Sequence, residues 1–223
     1  MTGRSTPDSS LYIRRARKED ARALSRICLL TADAGTSAEN IHSYGEFPGL
    51  VYALPFVHVP HTAGFVLARK VEEEGKEGDA DPVVGYILFA LDTRAFEAAA
   101  EREWYPPLRV RYPKITEDAV PVCDPPLMDA DKRFISLLHA PQPASEACVK
   151  FSPAHLGWGR RLIAAAIEYL RDEGGLQSVW LGTDPRNADA GSFYARLGFK
   201  PIDGAPMSCV GLKFDDWTAQ KET

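Results

Sequence analysis

The segment that most restricts the fold is "FSPAHLGWGRRLIAAAIEYL", residues 151–170. Its apolar residues recur every three or four positions, which predicts an amphipathic helix, and the following "DEGG" predicts the end of that helix. Gly157 and Gly159 lie where the helix begins. Glycine lets a ligand approach the main chain, and a helix N-terminus presents unpaired N–H groups. With Arg160 and Arg161 beside it, this turn is suited to a phosphate or pyrophosphate.

The glycine turn alone does not identify a ligand. It lacks the third glycine of a dinucleotide-binding fold and the Gly-Lys-Ser/Thr of a nucleoside triphosphate loop. A tight connection between a strand and a helix is the simpler interpretation of two glycines. A binder of phosphate ligands with another fold therefore stays an alternative.

Composition limits the class of protein. The 223 residues are 45% hydrophobic and 26% charged, which predicts one globular domain. A net charge of -5 argues against nucleic-acid partners and anionic membranes, and no apolar run reaches the roughly 20 residues of a membrane helix. The start of the chain has no apolar signal core, and the cysteines are scattered without C-x-x-C or zinc-ligand spacing. We expect a cytoplasmic protein, with the nucleus as an alternative, no metal, and reduced thiols at Cys28, Cys123, Cys148 and Cys209.

Residue patterns predict the element order β-α-(α)-β-β-α-β-α-β. Alternation favours strands at "LYIRRA", "AGFVLARKV", "VVGYILFALD", "QSVWLGTD" and "APMSCVGLKF". The second and third should pair antiparallel through the charged loop "EEEGKEGDADP". Helical spacing is present in "RKEDARALSRICLLTADAG" and in "NADAGSFYARLGF", which Gly198 should close.

The middle of the chain is predicted to be less regular. "TRAFEAAAEREWYPPLRVRYPK" begins as a helix that Pro106 and Pro107 should stop. An irregular segment then runs to Pro143, with a strand expected at "RFISLLH". We expect one domain over residues 11–217, with an insertion at 93–143, a disordered start at 1–10 and a tail at 218–223.

Two segments together resemble a known superfamily. "LGWGRRLIAAAIEYL" followed by "VWLGTDPRNADAGSFYARLGFKPI" is similar to the acyl-CoA-binding half of the GNAT acetyltransferases. In that superfamily a glycine turn and helix bind the CoA pyrophosphate, and an Asn begins a later helix with a Phe-Tyr-x-x-x-Gly-Phe signature. The resemblance implies an α/β fold in which helices flank a mixed, mostly antiparallel twisted sheet. The matching positions are Asn187, Phe193, Tyr194, Gly198 and Phe199.

A narrower resemblance covers most of the chain. "ICLLTADAG", "VVGYILFALDT", "WYPPLRVRYP" and "SPAHL" are similar to the acetyltransferase-like domain found alone in fungi and bacteria and fused to some O-GlcNAc hydrolases. This implies that the insertion is specific to that branch. It also implies a poorly defined acceptor, and some fused members are thought to have lost catalysis.

The superfamily resemblance implies roles for particular residues. Acetyl-CoA would be the co-substrate, and Tyr194 would return a proton to the departing thiolate, although it could instead be a packed helix residue. Asn187 could contact the cofactor, cap its helix, or do both. His139 and His155 are candidate bases, so the base stays unassigned. The cofactor-binding residues would be Leu156, Gly157, Trp158, Gly159, Arg160, Arg161 and Asn187, with local packing as the alternative for Trp158.

The sequence departs from the superfamily pattern in two places. Ala154 stands where a Gln or Arg is usual, and the central strand before Gly157 is shorter by roughly ten residues, about one strand and a short loop. "ACVKF" or "FISLLH" could fill that place. We expect acetyl transfer to the amine of a small molecule or a protein, with Asp33 near the acceptor. The alternative is an inactive interaction module, and the sequence leaves open whether the protein is a monomer or a dimer.

Overall fold

The computed structural model describes residues 9–71, 81–116, 123–140, 150–151, 158–205 and 209–217. The strands are β1 (Leu11–Arg15), β2 (Thr62–Arg69), β3 (Val83–Ala90), β4 (Lys150–Phe151), β5 (Ser178–Gly182), β6 (Lys200–Pro201) and β7 (Cys209–Lys213). The helices are α1 (Ala21–Leu29), α2 (Phe47–Tyr52), α3 (Pro55–His58), α4 (Thr93–Glu103), α5 (Tyr105–Arg111), α6 (Asp129–His139), α7 (Trp158–Asp172) and α8 (Ala188–Arg196). Residues 1–8 of the expected disordered start, most of the charged loop and the tail lie outside the described residues.

The strands form two antiparallel sheets, ordered β1-β2-β3-β4 and β5-β7-β6. The predicted hairpin of β2 and β3 is confirmed, with Phe65 opposite Ile87 in its register. This arrangement confirms the predicted α/β class with a mostly antiparallel sheet. The short strand β6, which pairs Lys200 with Gly211, was not predicted because two residues carry no alternation pattern.

The first sheet is covered on both faces. Alternate residues of β2 and β3 point to opposite sides, so one face contributes Leu67 and Ile87 to a cluster with α7 and α8. The other face contributes Val66 and Leu88 to a second cluster with α1 and α2 and with α4, α5 and α6. The long insertion therefore covers a sheet face instead of extending from it.

The helix that begins at Thr93 ends at Glu103, before Pro106 and Pro107, as predicted. Two other expectations for the insertion are wrong. The segment after the prolines is not irregular throughout, because Pro106 and Pro107 occupy the first turn of a further helix, α5, where a missing N–H costs nothing. "RFISLLH" is not a strand but the second half of α6. Its buried Ile135 and Leu138 lie three residues apart on one helix face.

The central strand β4 comes from "ACVKF", the first of the two segments suggested for that place. It pairs antiparallel with β3, placing Phe151 opposite Ile87 and Lys150 opposite Leu88. The segment "SPAHL", including Ala154, lies outside the described residues. The described part of β4 is two residues long and belongs to a different sheet from β5.

Candidate active site

Helix α7 begins at Trp158, the residue between the two glycines of the predicted turn. Leu156 and Gly157 lie outside the described residues, whereas Trp158 and Gly159 are buried in the first turn of the helix. Amphipathic spacing places Leu162, Ile163, Ala166, Ile167 and Leu170 in the first core cluster. This packing fixes the helix against the sheet.

Arg160 and Arg161 are half-buried and lie over indole rings. The Arg160 guanidinium is 5.1 Å from the centroid of the Trp217 ring, and that of Arg161 is 4.8 Å from the Trp158 ring. Stacking of this kind orients a guanidinium while leaving its charge in place. Both cations are thus positioned near the N-terminal end of α7.

Trp158 packs into the first core cluster, and 8% of it is exposed. Its buried indole N–H has no acceptor among the residues the structure describes. Leaving such a donor unpaired costs about 1–3 kcal/mol. Local packing, one of the two predicted roles of Trp158, is therefore observed.

Asn187 caps helix α8. Its side-chain oxygen accepts a hydrogen bond of 2.9 Å from the backbone N–H of Ala190, which satisfies a donor that the helix cannot pair. Its amide nitrogen lies against Gly35, where an added Cβ would come within 2.6 Å. The capping role is confirmed, and a contact with a cofactor stays a prediction.

The turn after α1 lies against the start of α8. Asp33 and Thr36 exchange backbone hydrogen bonds of 2.8 and 3.1 Å, and the residues between them have positive φ angles, 50° at Ala34 and 92° at Gly35. Two consecutive positive φ values define a type I′ hairpin turn. We call residues 33–36 the acceptor turn, because the resemblance places acceptors near Asp33.

An ion-pair network joins the acceptor turn to the loop before α8. Arg186 donates to Asp33 at 2.8 Å and to Asp184 at 2.7 Å. The hydrogen bonds to Asp184 and then to Asp33 raise the pKa of Arg186 above its ordinary value. The Asp33 carboxylate is therefore already paired with a cation, 153 residues away in sequence.

Tyr194 is buried in α8 and belongs to the same core cluster as Trp158. Its ring makes edge contacts with Phe193 and Phe199, with centroid distances of 5.4 and 5.3 Å. Gly198 closes the helix region with a φ of 95°, as predicted. The two helices expected to form the site therefore share one core.

The structure describes one of the two candidate histidines. His139 is the last residue of α6, and its Nε2 lies 2.8 Å from the backbone carbonyl oxygen of Tyr112. That nitrogen must carry the proton to make this hydrogen bond, so it is not available as a base. His155 lies outside the described residues.

A third histidine, which the sequence did not single out, forms a buried pair with an aspartate. His42 Nδ1 lies 2.7 Å from Asp131, and both side chains are almost fully buried. The other Asp131 oxygen accepts from the backbone N–H groups of Ser43 and Met128 at 3.0 and 2.9 Å. This pair fastens the start of α6 to the loop before α2.

Comparisons with known proteins agree with this architecture. The family model of the acetyltransferase (GNAT) family matches residues 146–199. The crystal structure of SsHAT is 28% identical over 92% of this chain and 98% of that one, with a TM-score of 0.72. The chain thus has an α/β fold similar to that of SsHAT, and its residues 146–199 are similar to the acetyltransferase (GNAT) family.

More distant solved structures show weaker similarity. A spermidine N-acetyltransferase from Vibrio cholerae is 12% identical over 96% of this chain and 100% of its own, with a TM-score of 0.46. AtaTR bound with AcCoA is 15% identical over 93% of this chain and 96% of its own, with a TM-score of 0.48. At this distance neither supports an inference about substrate. Among the described helices, none is both long and apolar enough to cross a bilayer.

Proposed function

We propose that this protein transfers an acetyl group from acetyl-CoA to a primary amine. The observation that carries the proposal is the convergence of α7 and α8: Trp158 at the start of one and Tyr194 in the other share a single core cluster. Strands β4 and β5 belong to different sheets. In the superfamily, the cofactor cleft opens between the strands at these positions. The scattered cysteines favour a cytoplasmic setting.

The cofactor pyrophosphate would lie at the N-terminus of α7. Unpaired N–H groups and the positive end of the helix dipole favour an anion there, and Arg160 and Arg161 add two charges. Leu156 and Gly157 would complete the turn, and Asn187 would contact the pantetheine while capping α8. The half-buried stacking of both arginines on tryptophan rings supports an organised cationic site.

Tyr194 is proposed as the general acid. The neutral amine attacks the thioester carbonyl carbon, the carbon–sulfur bond breaks, and the phenol gives its proton to the leaving thiolate. Burial of the tyrosine between Phe193 and Phe199 holds its ring in one orientation and excludes water from it. The amine loses its proton to a base that stays unassigned.

The acceptor is proposed as an amine of a small molecule or of a protein. Asp33 lies next to the proposed cleft, but Arg186 neutralises its charge, so it is a weak anchor for a polyamine. Fold alone does not name the substrate of a superfamily that uses one core for many amines. Assignment to the branch with fused O-GlcNAc hydrolases likewise stays a proposal.

A non-catalytic interaction module is the second candidate function. It is favoured by one observation in the sequence, the segment before Gly157 that is shorter than the superfamily pattern by roughly ten residues. In the superfamily the strand in this segment provides the N–H that steadies the developing oxyanion, an effect often worth about 3 kcal/mol. A domain without that donor could bind a partner without turning over substrate.

Calorimetric titration of acetyl-CoA tests the binding half of the proposal. Gly157→Glu should weaken binding at least ten-fold, about 1.4 kcal/mol, because it adds bulk and negative charge at the turn. Arg161→Gln should weaken it less, and Arg171→Gln, at the other end of the same helix, should leave it unchanged. No binding by a folded wild-type protein would overturn the proposal.

A thiol-release assay with lysine peptides and polyamines tests the catalytic half. Tyr194→Phe should lower kcat by about 10²–10⁴ while acetyl-CoA affinity stays the same. Wild-type protein that binds acetyl-CoA but releases no thiol with any amine would favour the interaction module.

A further inference from the structure

The long loop between α1 and α2, residues 30–46, is held from two sides, and we call it the α1–α2 loop. On one side, its acceptor turn contacts the start of α8 through the Asp33–Arg186 ion pair and through Gly35. On the other side, the loop contacts the insertion. Loops that a rigid scaffold positions carry a large share of the binding residues of proteins, so the second contact bears on function.

Asp131, in the first turn of α6, joins the insertion to the α1–α2 loop. Its Oδ1 lies 2.7 Å from His42 Nδ1, and its Oδ2 accepts from the backbone N–H groups of Ser43 and Met128 at 3.0 and 2.9 Å. The side chains of Asp131 and His42 are 0% and 2% exposed. A buried carboxylate needs donors, so we assign the His42 proton to Nδ1. One carboxylate thus receives three hydrogen bonds, two of them from the loop.

The His42 side chain is also confined by ring packing. Phe134 lies one helical turn after Asp131 on α6, and its ring makes an edge contact with the His42 ring at a centroid distance of 5.2 Å. Beside it, Ser43 Oγ donates to the carbonyl oxygen of Pro126 at 2.7 Å. The insertion therefore fixes both the ring and the backbone of this part of the loop.

A single 3₁₀ turn, Glu39–Ile41, connects His42 to the part of the loop that carries the acceptor turn. The Ile41 N–H closes it on the carbonyl oxygen of Ala38 at 3.1 Å. Ala38 is fully buried, and its own N–H donates to the carbonyl oxygen of Leu29 at 2.9 Å. Because one hydrogen-bonded turn separates the two attachments, a displacement of His42 is passed to Ala38 and to the acceptor turn before it.

We propose that Asp131 and His42 are positioning residues for the acceptor amine. Through this pair the insertion fixes the α1–α2 loop beside α8, and so sets the place of the acceptor turn. The inference rests on the proposed function, since it concerns the acceptor of that reaction. It gives the insertion a role in acceptor affinity and none in cofactor binding, because α7 packs on the opposite face of the first sheet from α6.

Hydrogen exchange tests the coupling without any need for activity. Asp131→Ala removes all three hydrogen bonds, so protection of the Thr36, Ala38 and Ile41 amides should fall at least ten-fold, and by more than that of the α7 amides. The matched control is Asp129→Ala in the same helical turn, where the aspartate side chain is 96% exposed and pairs with Lys132 at the surface. That variant should leave the three amides unchanged.

A milder pair of variants keeps the test decisive if Asp131→Ala does not fold. Asparagine carries an N–H group as many bonds from the backbone as His Nδ1, so His42→Asn can still donate to Asp131, whereas His42→Ala cannot. His42→Ala should loosen the same three amides, and His42→Asn should restore most of their protection. Wild-type protection of these amides in folded His42→Ala protein would refute the coupling.

Steady-state kinetics separate positioning from a general loss of structure. The probe is the amine that the wild type acetylates fastest in the thiol-release assay. His42→Ala should raise KM for that amine about ten-fold and leave KM for acetyl-CoA unchanged, and His42→Asn should recover most of the loss. A lower kcat with an unchanged KM for the amine would mean a merely structural role and would end this proposal.

Failure of this inference is distinguishable from failure of the proposed function. A wild-type protein that binds acetyl-CoA but releases no thiol with any amine would remove the enzyme proposal, and the acceptor role with it. An active wild type whose His42→Ala variant keeps its KM for the amine would remove the positioning role alone.

Discussion

Asp20 anchors the end of β1 to the helix that follows. Its buried carboxylate accepts two hydrogen bonds from Arg14, at 2.8 and 2.7 Å, and a third of 2.8 Å from the backbone N–H of Arg17. Burial raises the pKa of Asp20, but the hydrogen bonds and charges of Arg14 and Arg17 outweigh it and lower the pKa below its ordinary value. The ionised form is thus bound more tightly in the folded state.

This pKa shift predicts how Asp20→Asn changes stability with pH. A lowered pKa contributes stability that is fully present above the unfolded value, about 3.9, and is lost as the pH falls through the folded value. At pH 7 the variant should unfold about 2 kcal/mol more easily, since charged hydrogen bonds are lost. Urea unfolding between pH 7 and 3 should show this difference shrinking at the acid end.

Glu19→Gln is the control for Asp20→Asn, because Glu19 is the exposed neighbour in the same turn. It should change stability by less than about 0.5 kcal/mol at every pH. A difference for Asp20→Asn that stays constant down to pH 3 would contradict the role of the ionised carboxylate.

At the scale of elements, the acceptor turn packs closely against the start of α8, where Gly35 lies against the side chain of the cap residue Asn187. Gly35→Ala would place a Cβ at a φ of 92° and within 2.6 Å of the Asn187 amide. We expect a loss of about 1–2 kcal/mol from the positive φ and the displaced helix cap. The turn should also loosen, which hydrogen exchange at the Thr36 amide would show.

Gly191→Ala is the matched control within α8. An added Cβ there meets nothing within 4 Å, and alanine favours a helix. That variant should gain about 0.5–1 kcal/mol. Equal stability of the two variants would mean that the contact between the turn and α8 carries no strain.

The elements that sequence predicted well are those whose signals are local. The strands β2 and β3 show alternation, α7 shows helical spacing, and Asn187 precedes α8 as a cap residue does. The Phe-Tyr-x-x-x-Gly-Phe motif correctly predicted that Tyr194 lies in a helix, which is α8. "RFISLLH" is too short for its pattern alone to distinguish a strand from the end of a helix, and Pro106 and Pro107 both follow one helix and begin the next.

The contacts that sequence could not predict join distant parts of the chain. His42 and Asp131 are 89 residues apart, and Asp33 and Arg186 are 153 apart. Each residue alone is a common polar residue in or near a loop, and only the fold brings the partners together. The sequence therefore indicated the superfamily and its helices, while the networks that fix the surrounding loops required the structure.

For the whole molecule, the two-sided burial of the first sheet predicts that the insertion and the superfamily core unfold together. Leu138 of α6 is fully buried on one face, and Leu162 of α7 is 1% exposed on the other. Truncation of either to alanine should cost about 2–5 kcal/mol. Because β2 and β3 contribute residues to both clusters, we expect the loss of contacts in one cluster to disrupt the other.

Hydrogen exchange in urea distinguishes one cooperative unit from two. In Leu138→Ala, amides of both α6 and α7 should lose protection at the same lowered urea concentration, and Leu162→Ala should produce the same coincidence from the opposite face. Exposed Val110, on the surface of α5, provides the control, since Val110→Ala should shift neither helix. If α6 opened in Leu138→Ala while α7 kept its protection, the insertion would be a separate unit, and residues 11–217 would not fold as one domain.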